Sequence, residues 1–152
     1  MWFADLTAYT YSHSAPRPML NIGWLDAVHP FPKGEVPAFL FKRLARWPRA
    51  RQSCGIHDCE LCPFVQPVGR VECPTTSSYE LHVFGADGVC YAAPALIAHY
   101  VEVHDYRPPQ PFIDAVMTTS FTATGESCTR CCGDLLQCST GYVLCPGCGA
   151  MS

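Results

Sequence analysis

The sequence has little charge, no long apolar run and no excess of cations, and each absence closes off a class of protein. Charged residues make up 15% of the 152 residues and hydrophobic ones 49%, too few charges for a disordered chain and enough apolar material for a core. No stretch approaches the roughly 18–20 consecutive apolar residues of a membrane span, so no membrane association is expected. The formal net charge of −3 gives no general attraction to nucleic acid or to an anionic lipid surface. The opening residues, MWFADLTAYTYSH, carry Asp5 and no early lysine or arginine. They read as neither a signal nor a transit peptide, and the expected location is the cytoplasm.

Catalytic signatures are missing as well. There is no H-E-x2-H, no G-x-S-x-G, no phosphate-cradling glycine loop, and no H-x-E followed by P-C-x2-C as in the zinc deaminases. No residue is therefore assigned a catalytic or organic-cofactor role, and the chain leans away from being an enzyme.

What the chain has is cysteine, proline and glycine: 11, 14 and 11 of them. The prolines and glycines predict many turns and short helices. The cysteine number is odd and most fall in C-x2-C pairs, which fits thiols serving metal in a reducing compartment better than a disulfide scaffold. Six of the eleven lie in the last 26 residues, SCTRCCGDLLQCSTGYVLCPGCGAMS. Here Cys128-x2-Cys131 and Cys145-x2-Cys148 are separated by 13 residues, and Gly133 and Gly149 follow the pairs closely. This is the pattern of a zinc ribbon, in which two tight turns aim four sulfurs at one ion and leave no open position, a structural arrangement. Leu135, Leu136, Tyr142, Val143 and Leu144 suit a hairpin turning at Ser139-Thr140-Gly141. So short a segment lacks the apolar surface to fold by itself, and metal binding would supply the difference. Cys132 and Cys138 are spare, and Cys132 is an alternative to Cys131. Cys145-Pro-Gly-Cys148 also has the spacing of a thiol-oxidoreductase pair, but without the βαβ context of that fold.

A second site is expected at Cys59-x2-Cys62 together with His99 and His104. The H-x4-H spacing falls within the zinc range where a helix end distorts. His57 competes for an imidazole position and Cys54 for a sulfur. With 36 residues between the pairs, such a Cys2His2 site would be a tertiary staple rather than a DNA-reading finger.

Along the chain, residues 1–35 are rich in aromatics and turn formers. Leu20 to Leu25 predicts a short buried strand, and His29 to Gly34 a loop. A helix is expected from Glu35 and Pro37 to Pro48, its apolar set being Phe39/Leu40, Leu44 and Trp47. Lys42, Arg43, Arg46, Arg49 and Arg51 make up five of the ten positive charges and read as a solvated helix face. Further strand is expected around Val68 to Glu72. Residues 80–84 and 88–92 flank Gly85-Ala-Asp87 as a hairpin, with Cys90 packed inside and His82 facing solvent. His13 and His29 are expected at the surface, and Cys73 has no assigned place. Pro94 opens a helix carrying Leu96, Ile97, Tyr100, Val101 and Val103, and Gln110 to Met117 forms a last one. The small polar residues of 118–127 read as a linker.

One resemblance adds to this reading. At Asp5-Leu6-x2-Tyr9, Asn21-Ile22-Gly23-Trp24-Leu25, His29-Pro30-Phe31-x2-Gly34-x-Val36-Pro37, His57-x-Cys59-x2-Cys62, Tyr91-Ala92-Ala93-Pro94, and from His99-Tyr100-Val101 to Val116, the chain resembles an uncharacterised family of small bacterial proteins. The likeness covers roughly 1–117 and implies one compact domain of bacterial, cytosolic origin without an assigned activity. The expected architecture is α+β: a domain over 1–117 with an internal zinc site, a linker over 118–124 and a zinc ribbon over 125–152. The expected role is contact with a macromolecule, foremost a protein, through aromatic surface of the N-terminal third. Nucleic-acid binding through the ribbon and the 42–51 cations is the alternative, although 125–152 holds only Arg130 against Glu126 and Asp134. A zinc hydrolase at the Cys59/Cys62/His site comes third. Oligomeric state is not legible.

Overall fold

A computed structural model describes residues 1–11, 17–62 and 76–151, and of 51–54 the backbone only. The expectations for His13, for Cys73, for the strand around Val68 to Glu72 and for the Cys54 side chain fall outside the described residues. The fold is α+β. Ten elements follow in order: β1 (Leu20–Asn21), α1 (Leu40–Ala45), β2 (Arg49–Asp58), β3 (Thr76–Phe84), β4 (Cys90–Pro94), α2 (Ile97–Val103), α3 (Gln110–Thr118), β5 (Phe121–Ser127), β6 (Asp134–Cys138) and β7 (Val143–Leu144).

The first four strands form one sheet in the order β1-β4-β3-β2, antiparallel except for β1 against β4. Its centre is the hairpin the sequence predicts, with Glu80 opposite Pro94 and Phe84 opposite Cys90. Alternation along β3 sends Leu81 and Val83 to one face, where they join Leu40, Leu44, Ile97, Phe112 and Ile113 of the three helices in the main core. The opposite face is covered too. There Phe84, Cys90 and Ala92 pack with Tyr9, Met19 and Trp24 of the N-terminal segment and with Cys138 of β6. Burial pushes the Cys90 thiol up to about 12, as for a cysteine that packs as a small hydrophobe.

This second covering corrects the placing of His82. The side chain is buried beside Glu80, with Nε2 at 3.2 Å from Oε2, instead of facing solvent. Glu80 is buried as well and accepts hydrogen bonds from the Tyr9 hydroxyl at 2.8 and 2.9 Å. The polar alternation of a one-sided sheet is present, but the N-terminal segment and the ribbon close over it.

Other boundaries shift for local reasons. The strand at Leu20 lasts two residues because Gly23 takes a left-handed φ of +68°, and a Cβ there would lie 3.0 Å from Ile97. Asp5 holds this turn, accepting from the Gly23 N–H and the Tyr106 hydroxyl at 2.8 Å each. Helix α1 is shorter than expected, and Trp47 follows it as a buried anchor donating to the His82 carbonyl at 2.9 Å. Pro94 ends β4 rather than opening a helix; α2 begins at Ile97. The expected solvated cation face is divided. Arg43 donates to the carbonyls of Val116, at 2.8 Å, and Thr119 at the end of α3, and Arg49 lies on β2 with its guanidinium 4.3 Å from the centre of the Tyr79 ring. His29 is half-exposed and bonded to Asp26.

The stretch expected as a linker is ordered strand. From Phe121 it forms β5, first strand of the second sheet, β5-β6-β7. Thr119 is buried and donates to the Phe84 carbonyl at 3.3 Å, and Ser120 and Ser139 exchange hydrogen bonds at 2.9 and 3.0 Å. Phe121 packs against both cores. Among the described residues no helix is long and apolar enough to cross a membrane.

Candidate metal centres

Two groups of four donors converge, Cys59, Cys62, His99 and His104 in one and Cys128, Cys131, Cys145 and Cys148 in the other. In each, one ligand atom per residue lies within 4.8 Å of all the others. Both groups can hold a metal ion.

The C-terminal group is made by two reversals of matching geometry. In the first, the Cys132 N–H returns to the Cys128 carbonyl and the Cys128 N–H goes to the Gly133 carbonyl, each at 2.8 Å. In the second, Gly149 N–H returns to the Cys145 carbonyl and Cys145 N–H goes to Ala150, again at 2.8 Å. The residue that turns the chain is left-handed in both, Cys132 at φ +59° and Gly149 at +71°. The counterpart of Gly149 is thus Cys132, not Gly133. Cys132 is spent on the turn and exposed, while Cys131 points into the group. The hairpin β6–β7 between the reversals turns where expected, at Ser139 to Gly141.

Cys128 Sγ lies 3.6 Å from Cys148, and Cys131 Sγ 3.4 Å from Cys145. These separations far exceed the roughly 2.05 Å of a disulfide. Backbone N–H groups of Arg130 and Cys131 hold the Cys128 thiol down at about 6. Cys131, although the Gly133 N–H favours its thiolate, is pushed up to about 12 by the Cys145 and Cys148 sulfurs. Four sulfurs this close cannot all ionise without a cation among them. Two glycines make room: a Cβ on Gly147 would meet Cys131 Sγ at 3.2 Å, and one on Gly133 would meet it at 3.4 Å. The role of Gly147 and the left-handed position of Cys132 were missed by sequence reasoning. Aligning Cys128-x3-Cys132 with Cys145-x3-Gly149 was the available signal for the second.

The other group joins the turn after β2 to the end of α2. Cys59 and Cys62 sit on a tight turn closed by the Cys62 N–H on the Cys59 carbonyl at 3.4 Å. His99 projects from α2, and His104 is the C-cap that follows its last residue, Val103. On an ideal helix, residues five apart diverge by about 140°. The helix stops instead, with Asp105 left-handed at φ +56° and the Tyr106 N–H folded back to the Tyr100 carbonyl at 3.0 Å. That distortion brings the two Nε2 atoms to 3.2 Å. Cys59 Sγ is 3.3 Å from His104 Nε2, and Cys62 Sγ is 3.3 Å from His99 and 3.4 Å from His104.

Burial sets the protonation here. It raises the Cys59 thiol to about 11 and lowers both imidazoles, helped by His104 at His99 and by Lys33 at His104. The imidazoles stay neutral donors, and a cation entering would displace the thiol protons. His99 Nδ1 is buried with no hydrogen-bond partner among the described residues, a departure from the usual carboxylate or carbonyl support of a metal-bound imidazole. His57 stands outside the group. Its Nε2 lies 3.1 Å from the Tyr11 hydroxyl, and its ring meets Tyr11 and Trp24 edge-on.

No curated protein and no solved structure matches the chain. The family comparison gives one result, and it covers the part that holds the Cys2His2 group: the chain belongs to the family described as a domain of unknown function (DUF7919), whose model matches residues 1–117.

Proposed function

We propose that the protein is a two-zinc protein of non-catalytic type that acts through contact with another protein. The observation that carries the metal reading is the spacing of the donor atoms. With Zn–S about 2.3 Å and Zn–N about 2.0–2.1 Å, a tetrahedron has edges of about 3.8 Å for S–S, 3.5 Å for S–N and 3.3 Å for N–N. The separations found, 3.4 and 3.6 Å for sulfur pairs, 3.3 and 3.4 Å for sulfur to nitrogen and 3.2 Å between nitrogens, lie within about 0.4 Å of those edges. Sulfur and imidazole donors without carboxylates suit zinc over calcium or magnesium. Four protein donors per ion leave no position for a water, which supports a structural role over a hydrolytic one. The free state of every cysteine among the described side chains fits a reducing cytoplasm.

Native mass spectrometry against the denatured mass tests this. Two zinc ions per chain are expected, with one lost in Cys145→Ser and the other in His99→Ala. A single zinc insensitive to His99→Ala would remove the second centre, and none would move redox chemistry of the cysteines to the front. A water exchangeable on either metal would favour a hydrolase.

A further inference from the structure

Between Glu35 and Asp58 the chain has five cations and no carboxylate, within a protein of net charge −3. The fold commits Arg43 to carbonyls of α3 and lays Arg49 over Tyr79. Lys42 and Arg46 remain exposed, and with Phe39 they follow one face of α1 at i, i+3 and i+7. Phe39 is 64% exposed, the most open aromatic ring among the described residues. These three line a cleft of about 630 Å³ with Trp47, Ser120 and Phe121. Trp47 and Phe121 meet edge-on at 5.0 Å, so the cleft has a fixed apolar part beside its three cations, Lys42, Arg43 and Arg46. No carboxylate lines it among the described residues. Its volume lies within the roughly 300–1,000 Å³ of ligand-holding pockets.

We infer that this cleft docks an acidic segment of a partner protein, with an apolar or aromatic side chain seated against Phe39 and Phe121 and flanking carboxylates on Lys42 and Arg46. Charge complementarity selects the partner. Two exposed cations, Arg46 and Lys42 (the latter 5.9 and 5.8 Å from the centres of the Phe39 and Phe41 rings), match two carboxylates, whereas a nucleic-acid site of ordinary strength at physiological salt makes about 6–10 phosphate contacts. Arg43, also in the lining, adds a fixed positive charge while holding α1 to the end of α3, so the surface is organised before anything binds. The cleft also lies where the family-matched part of the chain meets β5, and a partner seated there touches both.

The inference rests on the reading of the protein as one that works by protein contact, and the test keeps the two apart. A peptide array in which acidic and apolar content vary independently is probed with the zinc-loaded full chain, and the best binders are titrated by fluorescence anisotropy. Binding is expected to require both acidic and apolar residues and to weaken with salt. It should fall at least tenfold in the Lys42→Glu/Arg46→Glu variant and several-fold in Phe39→Ala, with two zincs retained in each. Binding indifferent to acidity, or surviving the charge reversal, overturns the inference. So does preferential binding of oligothymidylate, which would assign the surface to nucleic acid. Peptide binding that survives Lys42→Glu/Arg46→Glu overturns the cleft and leaves the protein-contact reading standing; no peptide bound by the zinc-loaded chain overturns both.

Discussion

In the ribbon, four sulfurs come from two matching reversals separated by 13 residues, while Cys59 and Cys62 meet His99 and His104 across 36. Lengthening the closed loop from 13 to 36 residues costs only about 0.9 kcal/mol more in chain entropy. The larger difference is in what surrounds the donors. His99 lies on a helix packed into the main core, whereas Cys131 and Cys148 are exposed, and the ribbon's own buried side chains are few: Cys128, Cys138, Leu144 and Cys145. One centre is attached to a core that already exists. The other stands in for a core.

The sharpest way to break this contrast is to remove one ion at a time. Cys145→Ser is expected to unfold the ribbon outright, because structural zinc supplies on the order of 10–16 kcal/mol to such segments. Hydrogen exchange should show loss of amide protection in β6 and β7, with a cooperative melting transition retained by the remainder. His99→Ala should leave the family-matched part folded and lower its melting temperature by roughly 10 °C, as for an emptied buried site worth about 2–4 kcal/mol. Scanning calorimetry reads this, and unfolding as complete as that of the ribbon would erase the distinction. His57→Ala is expected to keep both ions.

Smaller changes sharpen the comparison within the ribbon. Gly147→Ala places a Cβ 3.2 Å from Cys131 Sγ and should weaken that zinc by about tenfold, measured by competition with a chromophoric chelator. The smallest effect expected is a gain. Cys132→Gly relieves a left-handed residue of about 1 kcal/mol and should raise the ribbon's transition by a few degrees with the zinc count unchanged. Loss of an ion would instead make Cys132 a ligand.

The parts of the fold legible in the sequence were those decided within a few residues. Gly85-Ala-Asp87 between alternating apolar residues predicted β3–β4, Ser139-Thr140-Gly141 predicted β6–β7, and Gln110-Pro111 placed α3. The grouping of Cys59 and Cys62 with His99 and His104 was legible because C-x2-C and H-x4-H are few in one chain, and the helix end bends as that grouping requires. What failed depended on distant covering. His82 reads as solvent-facing until the N-terminal segment and the ribbon close over its side of the sheet. The polar stretch TTSFTATGES looks like a tether, yet its threonines suit a strand once Asp134–Cys138 supplies a partner.

The ribbon's docking has a practical consequence for anyone handling the chain in pieces. Phe84, fully buried, has the Tyr142 ring 4.2 Å away and Cys138 packed in the same cluster. A protein cut after residue 117, at the edge of the family match, keeps the first sheet and all but the last residue of α3, but loses Phe121, Cys138 and Tyr142 from that face and leaves it covered by the N-terminal segment alone. Such a fragment would present a hydrophobic patch to its neighbours, and self-association and poor solubility are what it should display.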